Sequence, residues 1–102
     1  MRTIIITGAS GGLAQEMVKL LSKDKLILVG RSKAKLEKIY GEKENLDLVE
    51  LDITDSSALK RFAEQIDSQY GHVDVLVNNA GYGIFEEFDK ISSSDIEAMF
   101  EV

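Results

Sequence analysis

Thr7–Ala14 reads TGASGGLA: three glycines and a serine where an apolar, β-branched run, TIIIT from Thr3, gives way to a helical pattern. Glycine is the default residue where the backbone must turn sharply or where another group must come close to it. The first amide N–H groups of a helix have no intrahelical acceptor, and the positive end of the helix dipole sits beside them, so a helix that opens on small residues can receive an anion. A tight strand-to-helix turn with no ligand would also use glycine, and a motif this short does not separate the two readings.

The rest of the chain decides where that turn lies. Runs at 3–7, 26–29, 46–51 and 73–77 are short, rich in Ile, Val and Leu, and bounded by Gly, Asp or Asn, as buried parallel strands are. Helical periods lie between them: Leu13, Met17, Leu20 and Leu21 in the first, Leu59, Phe62, Ala63, Ile66 and Tyr70 in the third. The second helix is expected over 32–40 with Ser32 as N-cap, fading into the polar loop 41–45, and a last one from Ser94, whose spacing to Glu97 has the form of a capping box. Strands separated by helices pair through right-handed crossovers, which predicts a doubly wound α/β fold, a single Rossmann-like domain over 1–102 with parallel strand order 3-2-1-4.

In such a sheet ligands bind beyond the carboxyl ends of the strands, where the order reverses. Here that point lies between the first and fourth strands, at the glycine turn, and the anion that best fits it is a diphosphate. VGRS (29–32), LDITD (51–55) and VNNAG (77–81) follow the other three strands and share the same rim.

With TGASGGLA, Asp52 and NNAG at Asn78, Asn79, Ala80 and Gly81 in view, the sequence resembles the short-chain dehydrogenases/reductases of classical type, over the whole chain. The resemblance implies that Gly8 and Gly12 match the first two glycines of a TGxxxGxG turn, with Ser10 and Leu13 contributing to the phosphate contact and Ala14 in place of the third glycine. Read as Gly8, Gly11 and Ala14, the stretch also fits the spacing of the extended branch; NNAG favours the classical one. The resemblance further implies that Asp52 accepts from the adenine amino group with Ile53 beside the ring, and that Asn79, Ala80 and Gly81 tie the fourth strand to its neighbour and line the cofactor ribose. Asp55 is the better candidate for a helix cap than Asp52.

The second strand ends in Gly30, Arg31 and Ser32 with no acid among them. NAD selection uses an acid there for the ribose 2′-hydroxyl and NADP an arginine for the 2′-phosphate, so the expected cofactor is NADP(H) rather than NAD(H). Lys33, Lys35 and Lys38 read as a solvated helix face, with a local anion contact left open.

Catalysis in this family uses a Tyr-x-x-x-Lys pair with a Ser and an Asn, and none of this machinery is present. Tyr40 has Lys43 three residues on, Tyr70 is followed at four by Asp74, and Tyr82 by Glu86. The chain reads as the cofactor-binding portion of a longer oxidoreductase, inactive alone, or as a naturally short binding or self-associating module. His72 is expected in a loop at the opposite end of the sheet, and Glu86, Glu87 and Asp89 in a solvated loop. A fourth strand with one bare edge predicts a homodimer joined strand to strand across a two-fold axis.

Composition agrees with these expectations. The 102 residues carry a net charge of −6 and no cysteine, with basic residues scattered among acids, which argues against nucleic acid as a partner and against disulfide or thiolate chemistry. Neither a signal sequence nor a membrane-length apolar run is evident, so no membrane partner is expected and the expected location is cytoplasmic.

Overall fold

A computed structural model describes residues 1–79 and the strand at 84–87, with the backbone alone for residue 78 and for that strand. The elements in chain order are β1 (Thr3–Thr7), α1 (Gly12–Leu20), β2 (Lys25–Gly30), α2 (Lys33–Tyr40), β3 (Leu46–Glu50), α3 (Ser56–Tyr70), β4 (Val75–Asn78) and β5 (Ile84–Glu87). The sheet runs β3-β2-β1-β4-β5. The first four strands are parallel in the expected order 3-2-1-4, with Ile5 opposite both Ile27 and Leu76.

Side-chain alternation along the strands builds the two faces. Ile5, Ile27, Val29 and Leu76 point to one side and bury against Leu59, Phe62, Ala63 and Ile66 of α3. Ile4, Ile6, Leu26, Leu28, Val75 and Val77 point to the other and meet Ala14 of α1 with Leu36 and Tyr40 of α2. A strand buried on both sides must be apolar at every position, which is why the runs read as continuous rather than alternating.

Two details of packing differ from the sequence reading. The buried stripe of α1 runs through Ala14, Met17, Val18 and Leu21, while Leu13 and Leu20 are 63% and 84% exposed. The stripe is rotated because Ala14, with a small side chain, lets α1 approach the sheet on its own flank. The fourth strand begins at Val75 rather than at 73: the Asp74 carboxylate takes the Thr3 N–H at 2.8 Å, doing with a side chain what a ladder carbonyl would have done.

The outer edge of β4 is not bare. β5 lies antiparallel along it, Asn78 opposite Ile84 and Val75 opposite Glu87. Ile84 and Phe85 are good strand formers. The expected two-fold pairing of β4 with β4 therefore has no free edge to use in this fold. The expected last helix from Ser94 and the residues Ala80, Gly81, Tyr82 and Asp89 lie outside the described residues.

The other edge, β3, has no partner strand among the described residues, and its flank is charged. Asp47 accepts from Lys25 Nζ at 3.0 Å and from the Tyr70 hydroxyl. His72 stands at the amino-terminal end of the sheet, its Nε2 3.4 Å from Asp74 Oδ2, away from the rim that carries the glycine turn. Among the described residues no helix is long and apolar enough to cross a membrane, and no group of three His, Cys, Asp or Glu could hold a metal ion.

Asp55 caps α3, accepting from the Ser57 and Ala58 amides at 3.1 Å each. Asp55→Ala is expected to lower stability by about 1 kcal/mol, read as a shift of the denaturant midpoint with unchanged slope.

Candidate functional site

Every strand-to-helix connection of the parallel sheet opens on the same rim, and the glycine turn sits at its centre. Gly8 leaves β1 with φ of 60°, a left-handed conformation that a side chain would strain. Ala9 follows, fully buried, its N–H donating to the Val29 carbonyl of β2 at 3.0 Å. The Gly11 amide donates back to Gly8 at 3.1 Å, and Gln15 Nε2 donates to the Ser10 carbonyl at 3.2 Å.

Gly11 is the N-cap of α1 and supplies no side-chain acceptor. The amides of Gly12, Leu13 and Ala14, in the first turn of that helix, consequently lack an acceptor within it. A Cβ on Gly12 would meet nothing within 4 Å, so the space in front of the turn is open. A Cβ on Gly11 would stand 3.4 Å from the Gly8 carbonyl oxygen and 3.9 Å from Asn79 Nδ2, which places Asn79 against the turn. Ala14, in the place of a third glycine, buries its methyl completely in the core beneath.

The start of α2 is different. Ser32 caps it, accepting from the Lys35 amide at 3.2 Å, and the Glu50 carboxylate at the end of β3 accepts from the Lys33 amide at 2.9 Å. Of these two helix heads, the first keeps its amides open and the second fills most of its own. An anion arriving near α2 must therefore be held by side chains, and it meets a negative Glu50 already in place.

A cleft of about 440 Å³ lies over the carboxyl ends of the first three strands. Its walls bring together Gly8 and Ser10 from the glycine turn, Gly30, Arg31, Ser32 and Lys35 from the entry to α2, and Leu51 and Ile53 after β3. The floor is close-packed: a Cβ on Gly30 would stand 3.2 Å from Leu36 Cδ2. Gly11, Gly12, Leu13, Asp52 and Asn79 border this rim without lining the cleft, and Ala80 and Gly81 lie outside the described residues.

Asp52 is exposed between two cleft residues, Leu51 and Ile53. The Thr54 hydroxyl at 2.6 Å and the Thr54 amide at 2.9 Å both donate to its Oδ1. Those bonds, with the positive Arg31 nearby, hold its carboxyl below the ordinary 3.8. It is thus an ionised, acceptor-only group at neutral pH, and it loses that character only as pH falls through the lowered value.

Lys35 lines the cleft, where the sequence pattern reads as a solvated helix face with a local anion contact left open. It belongs to a run of lysines of which Lys33 and Lys38 do not line the cleft, and only its place in the first turn after the Ser32 cap distinguishes it.

Comparison with known proteins agrees with this geometry. The family model for short chain dehydrogenases matches residues 2–102. A 3-ketodihydrosphingosine reductase of Bacteroides thetaiotaomicron is 38% identical over 81 residues, covering 79% of this chain and 29% of the relative. A 3-ketoacyl-(acyl-carrier-protein) reductase from Brucella melitensis, solved with NADH, superposes with a TM-score of 0.63 at 32% identity, over 74% of this chain and 32% of that one. ElxO with NADP bound gives a TM-score of 0.63 at 27% identity, over 78% and 35%. The chain belongs to the short-chain dehydrogenase family, and its fold is the family's Rossmann-like one. It spans between 27% and 45% of the length of the curated relatives it matches.

Gly8→Ala should destabilise the fold by about 1–2 kcal/mol, the cost of a side chain in the left-handed region, measured by thermal unfolding. Gly12→Ala, with no positive φ and open space around it, should cost much less; an equal loss at both positions would contradict the turn described here.

Proposed function

We propose that this chain is the NADP(H)-binding part of a short-chain dehydrogenase/reductase. The observation that carries the reading is the cleft that brings Gly8 and Ser10 of the glycine turn together with Arg31, Ser32 and Lys35, beside the open helix head of α1. The residues fit the cofactor chemically. The amides of Gly12, Leu13 and Ala14 suit a diphosphate, which approaches closest where Gly11 and Gly12 have no side chains. Ile53 offers an apolar surface for the adenine, and Asp52 an acceptor for its amino group. Arg31 presents a planar fork that matches a phosphate bidentately, with Lys35 as a second positive charge.

The nicotinamide cofactor, when bound, supplies or accepts a hydride. The residues described here bind and orient; a Tyr-x-x-x-Lys pair does not occur in these 102 residues. Oxidoreductase activity is accordingly proposed for an assembly that supplies those groups, and the substrate is a property of it.

NADP(H) is favoured over NAD(H) by Arg31 and Lys35, and opposed by Glu50. Relatives of both kinds exist, one solved with NADH and one with NADP.

Calorimetric titration should show saturable binding of both cofactors with NADPH the tighter. Arg31→Met should weaken NADPH about tenfold and leave NADH nearly unchanged. Absence of any signal at millimolar cofactor would overturn the reading. Glu50→Gln keeps an acceptor for the Lys33 amide but removes the charge; it should strengthen NADPH about threefold without changing NADH, and the gain should shrink at high salt.

A further inference from the structure

The Tyr40 hydroxyl has a place in the site that neither the cofactor contacts nor the packing of the core accounts for. Tyr40 is the last residue of α2, 9% exposed, in a cluster otherwise made of Ile, Leu, Val and Ala. A phenylalanine would fill that space equally well. The hydroxyl needs a hydrogen-bond partner when buried, and the partner is the main-chain carbonyl of Ala9, in the middle of the glycine turn.

Geometry explains the reach. α2 begins at the rim and runs back beneath the sheet, so its last residue starts far from the turn. Helical side chains lean toward the amino end of their helix, and a long ring directed that way returns to the rim. Burial also pushes the phenol above its ordinary 10.0, so that the group stays a donor.

A turn made of Gly8, Ala9, Ser10, Gly11 and Gly12 has almost no side chains of its own with which to pack. Its shape is held from outside. β2 takes the Ala9 N–H, α1 holds the Ser10 carbonyl through Gln15, and α2 holds the Ala9 carbonyl through Tyr40. The Ala9 peptide units are thus tied on both sides by buried groups, and the Tyr40 tie is the one made by a side chain.

We propose that Tyr40 is a positioning residue for diphosphate binding: by holding the Ala9 carbonyl in the core, its hydroxyl fixes the turn so that the amides at the head of α1 face the rim. This rests on the cofactor reading above and adds to it a residue that does not line the cleft. The effect is specific to the diphosphate end, because Arg31 and Lys35 at the head of α2 are placed independently by the Ser32 cap and by Leu36 against Gly30.

The test is Tyr40→Phe, titrated calorimetrically with ADP and with 2′-AMP, whose phosphate addresses Arg31 and Lys35 rather than the turn. ADP is expected to weaken about threefold to tenfold, the worth of one hydrogen bond, with 2′-AMP unchanged. Unchanged ADP binding would overturn the proposal, and so would an equal loss for both ligands, which a general loosening of the fold produces. Failure of the wild-type chain to bind ADP would remove the cofactor reading itself. Should Y40F not fold, a crystal structure of the wild-type chain with ADP decides: the Tyr40 hydroxyl on the Ala9 carbonyl with the diphosphate at the α1 amides supports the proposal, and a broken contact overturns it.

Discussion

The open amides at the head of α1 are the constraint around which the rest is arranged. A buried N–H without an acceptor is costly, so a helix start is ordinarily filled by a cap, as Asp55 does for α3 and Ser32 for α2. Here the cap is Gly11, which can supply nothing. The turn tolerates this because the space in front of Gly12 is open, where solvent or an anion can serve the helix head. Parallel strands and right-handed crossovers then bring Arg31, Lys35 and Ile53 to the same side.

Much of this was readable in the sequence, for physical reasons that can be named. Continuous apolar runs between amphipathic stretches admit few topologies, so the order 3-2-1-4 followed from pattern alone. The glycine turn was legible because Gly8 requires a backbone conformation that few residues adopt, and Asp55 because a carboxylate two and three residues before free amides has one obvious use.

What escaped has equally definite causes. Lys35 was hidden in a lysine run whose members differ only in which way the helix turns them. The α1 stripe was read through the large residues Leu13 and Leu20, whereas the close approach of α1 is set by Ala14, whose smallness carries little hydrophobic signal. β5 followed two glycines and ended in acids, which reads as a loop until β4 offers a free ladder beside it. The tie made by Tyr40 left no trace in the sequence, because a hydroxyl's partner is a matter of three dimensions. Glu50, one residue before the end of an apolar run, gave no hint that its carboxylate crosses to the head of α2.

The charged flank of β3 bears on how the molecule behaves among its own copies. Among the described residues its outward ladder is unpaired, yet any strand laid along it would come beside the Asp47 carboxylate with its Lys25 and Tyr70 partners. Desolvating such a trio is unfavourable, so this side repels a newcomer that its backbone would otherwise welcome. Crowded molecules of this chain are thereby protected against stacking into continuous ribbons from that side, at no expense to the pocket on the far rim.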